Sequence, residues 1–169
     1  MNKMIEHIIQ YYQSERNTAL IAIVIGILFF ISAFVLPKYL GNDKLIKGLS
    51  YAFWGASLFF LTAGVSVAIH NNRKIEDVKV LSQTNLELQQ SESKRMELVI
   101  QKGYRSALIL FSTLVVVGLI VLLMSPNDLW KGIGLGLLII GTVGHGTEAF
   151  SMQKNKAYQQ KIDSIKLLK

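Results

Sequence analysis

The sequence predicts an all-α integral membrane protein with four transmembrane helices, arranged as a duplicated helical hairpin, and with cytoplasmic helical extensions. Three observations point there. Of the 169 residues, 51% are hydrophobic and only 17% are charged, an unusual balance for a soluble domain. The charges are segregated: no Asp, Glu, Lys or Arg occurs in 18–36, 49–69, 106–124 or 132–144. Finally, the basic residues fall mostly on one side of these stretches. A helix rising ~1.5 Å per residue needs about 20 residues to cross ~30 Å of hydrocarbon, and three of the windows have that length. Leu129 and Trp130, with the weakly polar run from His145 to Phe150, extend the fourth.

Residues 1–17 are read as a cytoplasmic amphipathic helix with an apolar face of Ile5, Ile8, Ile9 and Tyr12. That face calls for cover, either in a small bundle or at the lipid interface beside Lys3 and Arg16. The first span, 18–36, follows a long polar segment and exceeds a cleaved h-region, so it is expected to stay as an anchor. The second span is placed at 48–70, the third at 106–124 and the fourth at 129–150. Between the second and third, residues 71–105 are highly charged and contain no proline. Val78, Leu81 and Leu88 form one apolar stripe there, and Met96, Val99, Ile100 and Gly103 another. They predict a helical hairpin continuing the two spans, turning at "QQSES" (89–93). Val78, Leu81, Leu88, Met96 and Val99 are the residues expected to dock a partner. Residues 151–169 close the chain as a cytoplasmic helix with Tyr158, Ile162 and Ile165 on one face.

Orientation follows from the charges. If all four segments cross, 14 of the 18 Lys and Arg residues lie with the termini and the 71–105 connection. The positive-inside rule then places both termini in the cytoplasm of an inner (plasma) membrane. Tyr39, Tyr51, Trp54 and Trp130 mark the outer interface, and Tyr11, Tyr12 and Tyr104 the inner one. The net charge of +7 is accordingly read as topogenic charge facing membrane lipid, with no nucleic-acid partner.

The halves echo each other. "RNTALI" (16–21) resembles "RSALI" (105–109), Pro37 and Pro126 follow their helices, and "KLIKG" (44–48) resembles "DLWKG" (128–132). Both halves begin inside, which makes a parallel repeat, whereas inverted repeats are the usual device of alternating-access transporters. Small residues recur at four-residue spacing, at Gly48, Ala52 and Ala56 in the second span and at Gly132, Gly136 and Gly144 in the fourth, with Gly141 as a further packing glycine. In lipid such seams allow close helix approach. Two seams suggest a homo-oligomer as well as a monomeric bundle.

The polar candidates are His70, His145 and Glu148. Counted along the helices, all lie near the cytoplasmic boundary, where the cost of burying charge is already falling. His145 and Glu148 share a face and suit a hydrogen bond to the third span, a gating role or a cation, with His70 the obvious third ligand. No disulfide is available, since there is no cysteine, and no cofactor is expected. No HExxH, P-loop or nucleophile pattern occurs, so the chain is read as non-enzymatic. The first functional expectation is a homo-oligomeric membrane anchor or sensor docking a soluble cytoplasmic protein. Its outline, in shape alone, suits toxin immunity or antiviral defence. The alternative is an oligomeric channel or small-solute transporter using Ser57, Thr62, Ser66, Ser112, Thr113, Thr142 and His145 as a polar stripe.

Overall fold

Every element is helical in the computed structural model, which describes residues 3–80 and 85–165. The order is α1 (Lys3–Leu40), α2 (Lys44–Val80), α3 (Asn85–Leu98), a π-helical turn (Val99–Gly103), α4 (Tyr104–Met124) and α5 (Asp128–Ser164). Four helical segments are long and apolar enough to cross a membrane, with α3, the π turn and α4 acting as one. At 37 to 39 residues each, they reach ~55 Å, well beyond ~30 Å of hydrocarbon. Each is apolar over one half and polar over the other.

Residues 3–17 and the expected span 18–36 lie on one continuous helix, because nothing between them breaks α1. Pro37 does not end the helix either. Only its missing N–H and the carbonyl four residues back are affected, and α1 continues one turn to Gly41, whose φ of 94° reverses the chain. The connections at this end shrink to residues 41–43 and 125–127. Each carries a cap: Ile46 N–H donates to Asp43 Oδ1 at 2.9 Å, and Leu129 N–H donates to Asn127 Oδ1 at 2.9 Å.

Just past these caps, α2 and α5 meet backbone to backbone. A Cβ on Gly48 would fall on the Leu129 carbonyl and near Ile133 N, and one on Gly132 would fall on the Leu45 carbonyl and near Leu49 N. One turn on, Gly136 faces Ala52, and Ala56 is buried in the core. The remaining small residues of α5 serve α4: Gly134 lies against Gly118, Gly141 against Val115 and Phe111, and Gly144 against the Phe111 ring. Gly26 and Gly64 let α1 close on α2 in the same way. Both seams are thus spent inside one chain, and the argument they gave for a homo-oligomer goes with them. A core of Phe29, Leu49, Phe53, Ala56, Phe60 and Ile140 fills this half, while large apolar residues such as Leu28, Phe34, Leu58 and Ile109 face outward.

The polar half is a second bundle. Met4, Ile8, Ile9, Tyr11 and Tyr12 of α1 pack with Ile75 and Val78 of α2, Leu88 and Met96 of α3, and Tyr158 and Ile162 of α5. This corrects one expectation. In the 71–105 segment, the apolar residues of α2 and α3 are covered by α1 and α5. Residues 89–93 are not its turn: they lie within α3, whose Gln, Glu and Ser positions hold no Gly or Pro to break a helix. The residues assigned to docking are consumed here as well. Val78 (3% exposed), Leu88 (4%) and Met96 (0%) are buried, and Val99 packs partly buried against them. Leu81 lies outside the described residues. Tyr11 and Tyr12 likewise belong to this core.

Glycine substitutions test the seams. Gly48→Ala and Gly132→Ala should each destabilise the protein by about 1–3 kcal/mol through overpacking against backbone. Gly55→Ala and Gly146→Ala, where a Cβ meets nothing within 4 Å, should not lower stability. Thermal unfolding of the four variants in detergent checks the contrast.

Candidate functional site

Where the two halves join, α1 packs on α2 and α4 on α5, α2 and α5 pack on each other, and α1 and α4 make almost no contact. A cleft of about 270 Å³ occupies the gap. Ala19, Phe60, Gly64, Ala107 and Phe111 make its apolar wall, and Glu15, Thr18, Thr147, Glu148 and Ser151 its polar end. A second cavity of about 260 Å³ shares Glu15, Glu148 and Ser151 and continues to Gly103, Tyr104 and Asn155.

Glu15 reaches this place because it lies on the buried stripe of α1, one turn after Tyr11 and Tyr12 and one before Ala19. Its Oε1 is shielded from solvent and has no hydrogen-bond partner among the described residues. Burial lifts its carboxyl above the ordinary carboxylate range; Lys154 and Arg95 oppose this, and the Glu148 charge adds to it. Lys154 does not close on the carboxylates. Its Nζ donates to Thr18 Oγ1 at 2.8 Å and lies 4.6 Å from the centre of the Phe150 ring.

Next to the cleft, inside the polar bundle, lies a charge cage. Arg95 donates to Glu92 Oε2 from Nε at 3.1 Å and from Nη2 at 2.8 Å. Tyr158 donates to the same oxygen at 3.2 Å, and Tyr12 to Oε1 at 3.1 Å. The guanidinium lies over Tyr12 at 5.0 Å and Tyr11 at 5.4 Å. Tyr11 stacks on Tyr158 with centroids 3.8 Å apart and donates to Asn155 Oδ1 at 2.9 Å. Burial works to lower the Arg95 pKa, but its bonds to Glu92 outweigh that and carry it above the usual value, so it stays a cation. Burial pushes the three phenols up, which keeps them neutral donors.

The predicted polar residues do not assemble into one site. His145 turns to α4, its Nε2 3.3 Å from Ser112 Oγ and its ring edge-on to Phe111. Glu148, one turn on, faces the cleft instead. His70 is exposed on α2. Among the described residues no group of three His, Cys, Asp or Glu could hold a metal ion. Glu15, Glu92, Arg95 and Asn155 were missed. The signal for Glu92 was present: once 89–93 is helical, Leu88, Glu92 and Met96 form one stripe at i, i+4, i+8, with a charge at its centre. Comparison with known proteins finds no matching family model, curated protein or solved structure.

Removing either half of the cage leaves the other charge buried and unpaired. Glu92→Leu and Arg95→Leu should each cost about 3–5 kcal/mol, and the double variant much less than their sum; a double-mutant cycle from denaturation in mixed micelles measures the coupling. Glu15 gives a pH signature. Its raised pKa means the folded chain binds more protons than the unfolded one above the ordinary carboxylate range, so stability falls as pH rises through that window. Glu15→Gln should match the wild type near about pH 4 and melt progressively higher than it towards neutrality.

Proposed function

We propose that the protein is a non-enzymatic multi-pass protein of the inner (plasma) membrane, with both termini cytoplasmic, that acts as an anchor and sensor. In this reading the cleft lies at the inner boundary of the membrane, and its occupancy sets the packing of the cytoplasmic bundle. The observation that carries it is continuity. The helices that wall the cleft run without a loop into the charge cage, and Glu15 is one turn from Tyr11 and Tyr12. A change in the cleft is therefore transmitted along rigid helices and not through a hinge.

The outward apolar residues of the other half support the membrane placement, because a soluble monomer rarely exposes so broad an apolar surface. Basic residues at the polar half support the orientation. The reciprocal contact of Gly48 and Gly132 supports duplication of the hairpin. For a soluble partner, the buried stripe is replaced by Val80 (85% exposed) and Leu86 (55%), at the end of α2 and the start of α3. The channel reading finds less support. Thr62 and Thr142 donate to carbonyls of their own helices, from Leu58 and Leu138, which leaves fewer free polar groups for a conducting stripe.

Because the chain has no cysteine, single introduced cysteines report topology directly. With an impermeant thiol reagent on intact cells, positions 38 and 41 should label, and 79 and 86 should label only after permeabilisation. Labelling of position 86 from outside would end the proposed orientation. Loss of a co-purifying protein on Val80→Glu with Leu86→Glu, with unchanged melting, is expected for docking at that end.

A further inference from the structure

We propose that the cleft between α1 and α4 binds an alkylammonium, that is, a protonated amine carried on an apolar chain. Its two ends ask for different chemistry. Phe60, Phe111 and Ala107 offer an apolar wall, while Glu15 and Glu148 offer carboxylates at the other end. Of the two cations that act on Glu15, Arg95 is neutralised by its pairing with Glu92, so two carboxylates face one lysine and that end is negative, which repels an anionic headgroup. A neutral hydroxyl would leave the excess charge uncompensated. An ammonium supplies three donors and a positive charge, and so answers both the unpartnered Glu15 Oε1 and the repulsion from Glu148. Lys154 leaves the place open, since its ammonium is held by Thr18 Oγ1 and the Phe150 ring. A bare metal ion is disfavoured by the same walls, because the described residues offer no third acidic, histidine or cysteine ligand.

The size sets how the molecule sits. About 270 Å³ is just below the usual range of ligand cavities, roughly 300–1,000 Å³, and takes a headgroup with its first few carbons. Because α1 and α4 do not close on each other, the rest of the chain leaves sideways between them. In the membrane reading above, on which the source of the ligand rests, that exit leads into lipid. Two sources share the chemistry: a lipid with an ammonium headgroup, and a free cationic amphiphile.

The test uses the full chain in a neutral maltoside detergent at pH 7, titrated with dodecylammonium, dodecanol and dodecyl sulfate while unfolding is followed. Dodecylammonium should raise the melting temperature saturably, and the other two should not. Glu15→Gln with Glu148→Gln, which keeps the side-chain shape, should weaken the apparent affinity at least tenfold. Ala107→Phe, which fills the cleft from the opposite wall, should abolish binding with both carboxylates intact. Equal responses from dodecanol and dodecylammonium, or an undiminished response in both variants, would overturn the proposal. Native mass spectrometry from nanodiscs of phosphatidylethanolamine, or of phosphatidylcholine with added dodecylammonium, separates the sources. Retention of either amine above phosphatidylcholine supports the site, and retention of neither overturns it. Because binding is read in detergent, its failure is distinct from a failure of the labelled topology.

Discussion

The contact on which the architecture depends is the meeting of α2 and α5 at Gly48 and Gly132. Each glycine admits the other helix's carbonyl to a place where any side chain would collide. In the proposed membrane setting apolar burial does not drive helices together, so close backbone approach and the dispersion contacts it permits would do so. Pinning the pair at one end leaves the rest of their length to be filled by side chains. Near the pinch small residues suffice; further along, Phe53, Phe60 and Phe111 are needed, and beyond them the cleft opens. The cavity is thus a consequence of how the two central helices are pinned, with α1 and α4 attached to opposite partners.

At the other end the bundle is held by a different physics. Glu92 and Arg95 could in principle be replaced by apolar residues at little cost, since desolvating a charge pair consumes much of what the pair returns. What they add is direction. Glu92 accepts from residues of three helices, Tyr12 on α1, Arg95 on α3 and Tyr158 on α5, and an apolar side chain would not distinguish one rotation of α3 from its neighbours. The tyrosines reinforce this, because each presents a ring to pack and a hydroxyl that has to reach one particular atom.

How much was legible in the sequence divides along the same line. Four apolar segments and their small-residue seams could be read directly, because hydrocarbon imposes length and composition on any helix that faces it. The partners of those seams could not: Gly132 reads the same whether it faces Leu45 or a second molecule. The cage was hidden by a misplaced turn. Placing a break at 89–93 took Glu92 off the Leu88–Met96 stripe and made it look like solvent-facing charge. His145 and Glu148 were found by type, but a shared helix face at i and i+3 still spans about 60°, enough for one to meet α4 and the other the cleft. Glu15 was passed over because a lone carboxylate beside Arg16 reads as an ordinary surface residue until Tyr12 and Ala19 are seen to be buried around it.

The π turn at Val99–Gly103 has no signature in the hydrophobic period, yet it reconciles the two kinds of packing. Leu88, Glu92 and Met96 centre the buried face of α3, and Phe111 and Gly118 that of α4. At ~100° per residue an uninterrupted helix would place these faces ~90° apart, so one bundle would have to twist its helix away from its core. Accommodating one additional residue in a single wide turn takes back ~100° and brings the faces to within ~10°. The turn therefore lets one continuous rod serve both cores. It does so where Gly103 and Tyr104 line the lower cavity beside Glu15 and Glu148. The two halves are matched in register at the level of the cleft, so a molecule seated there touches the segment whose rotation relates one core to the other.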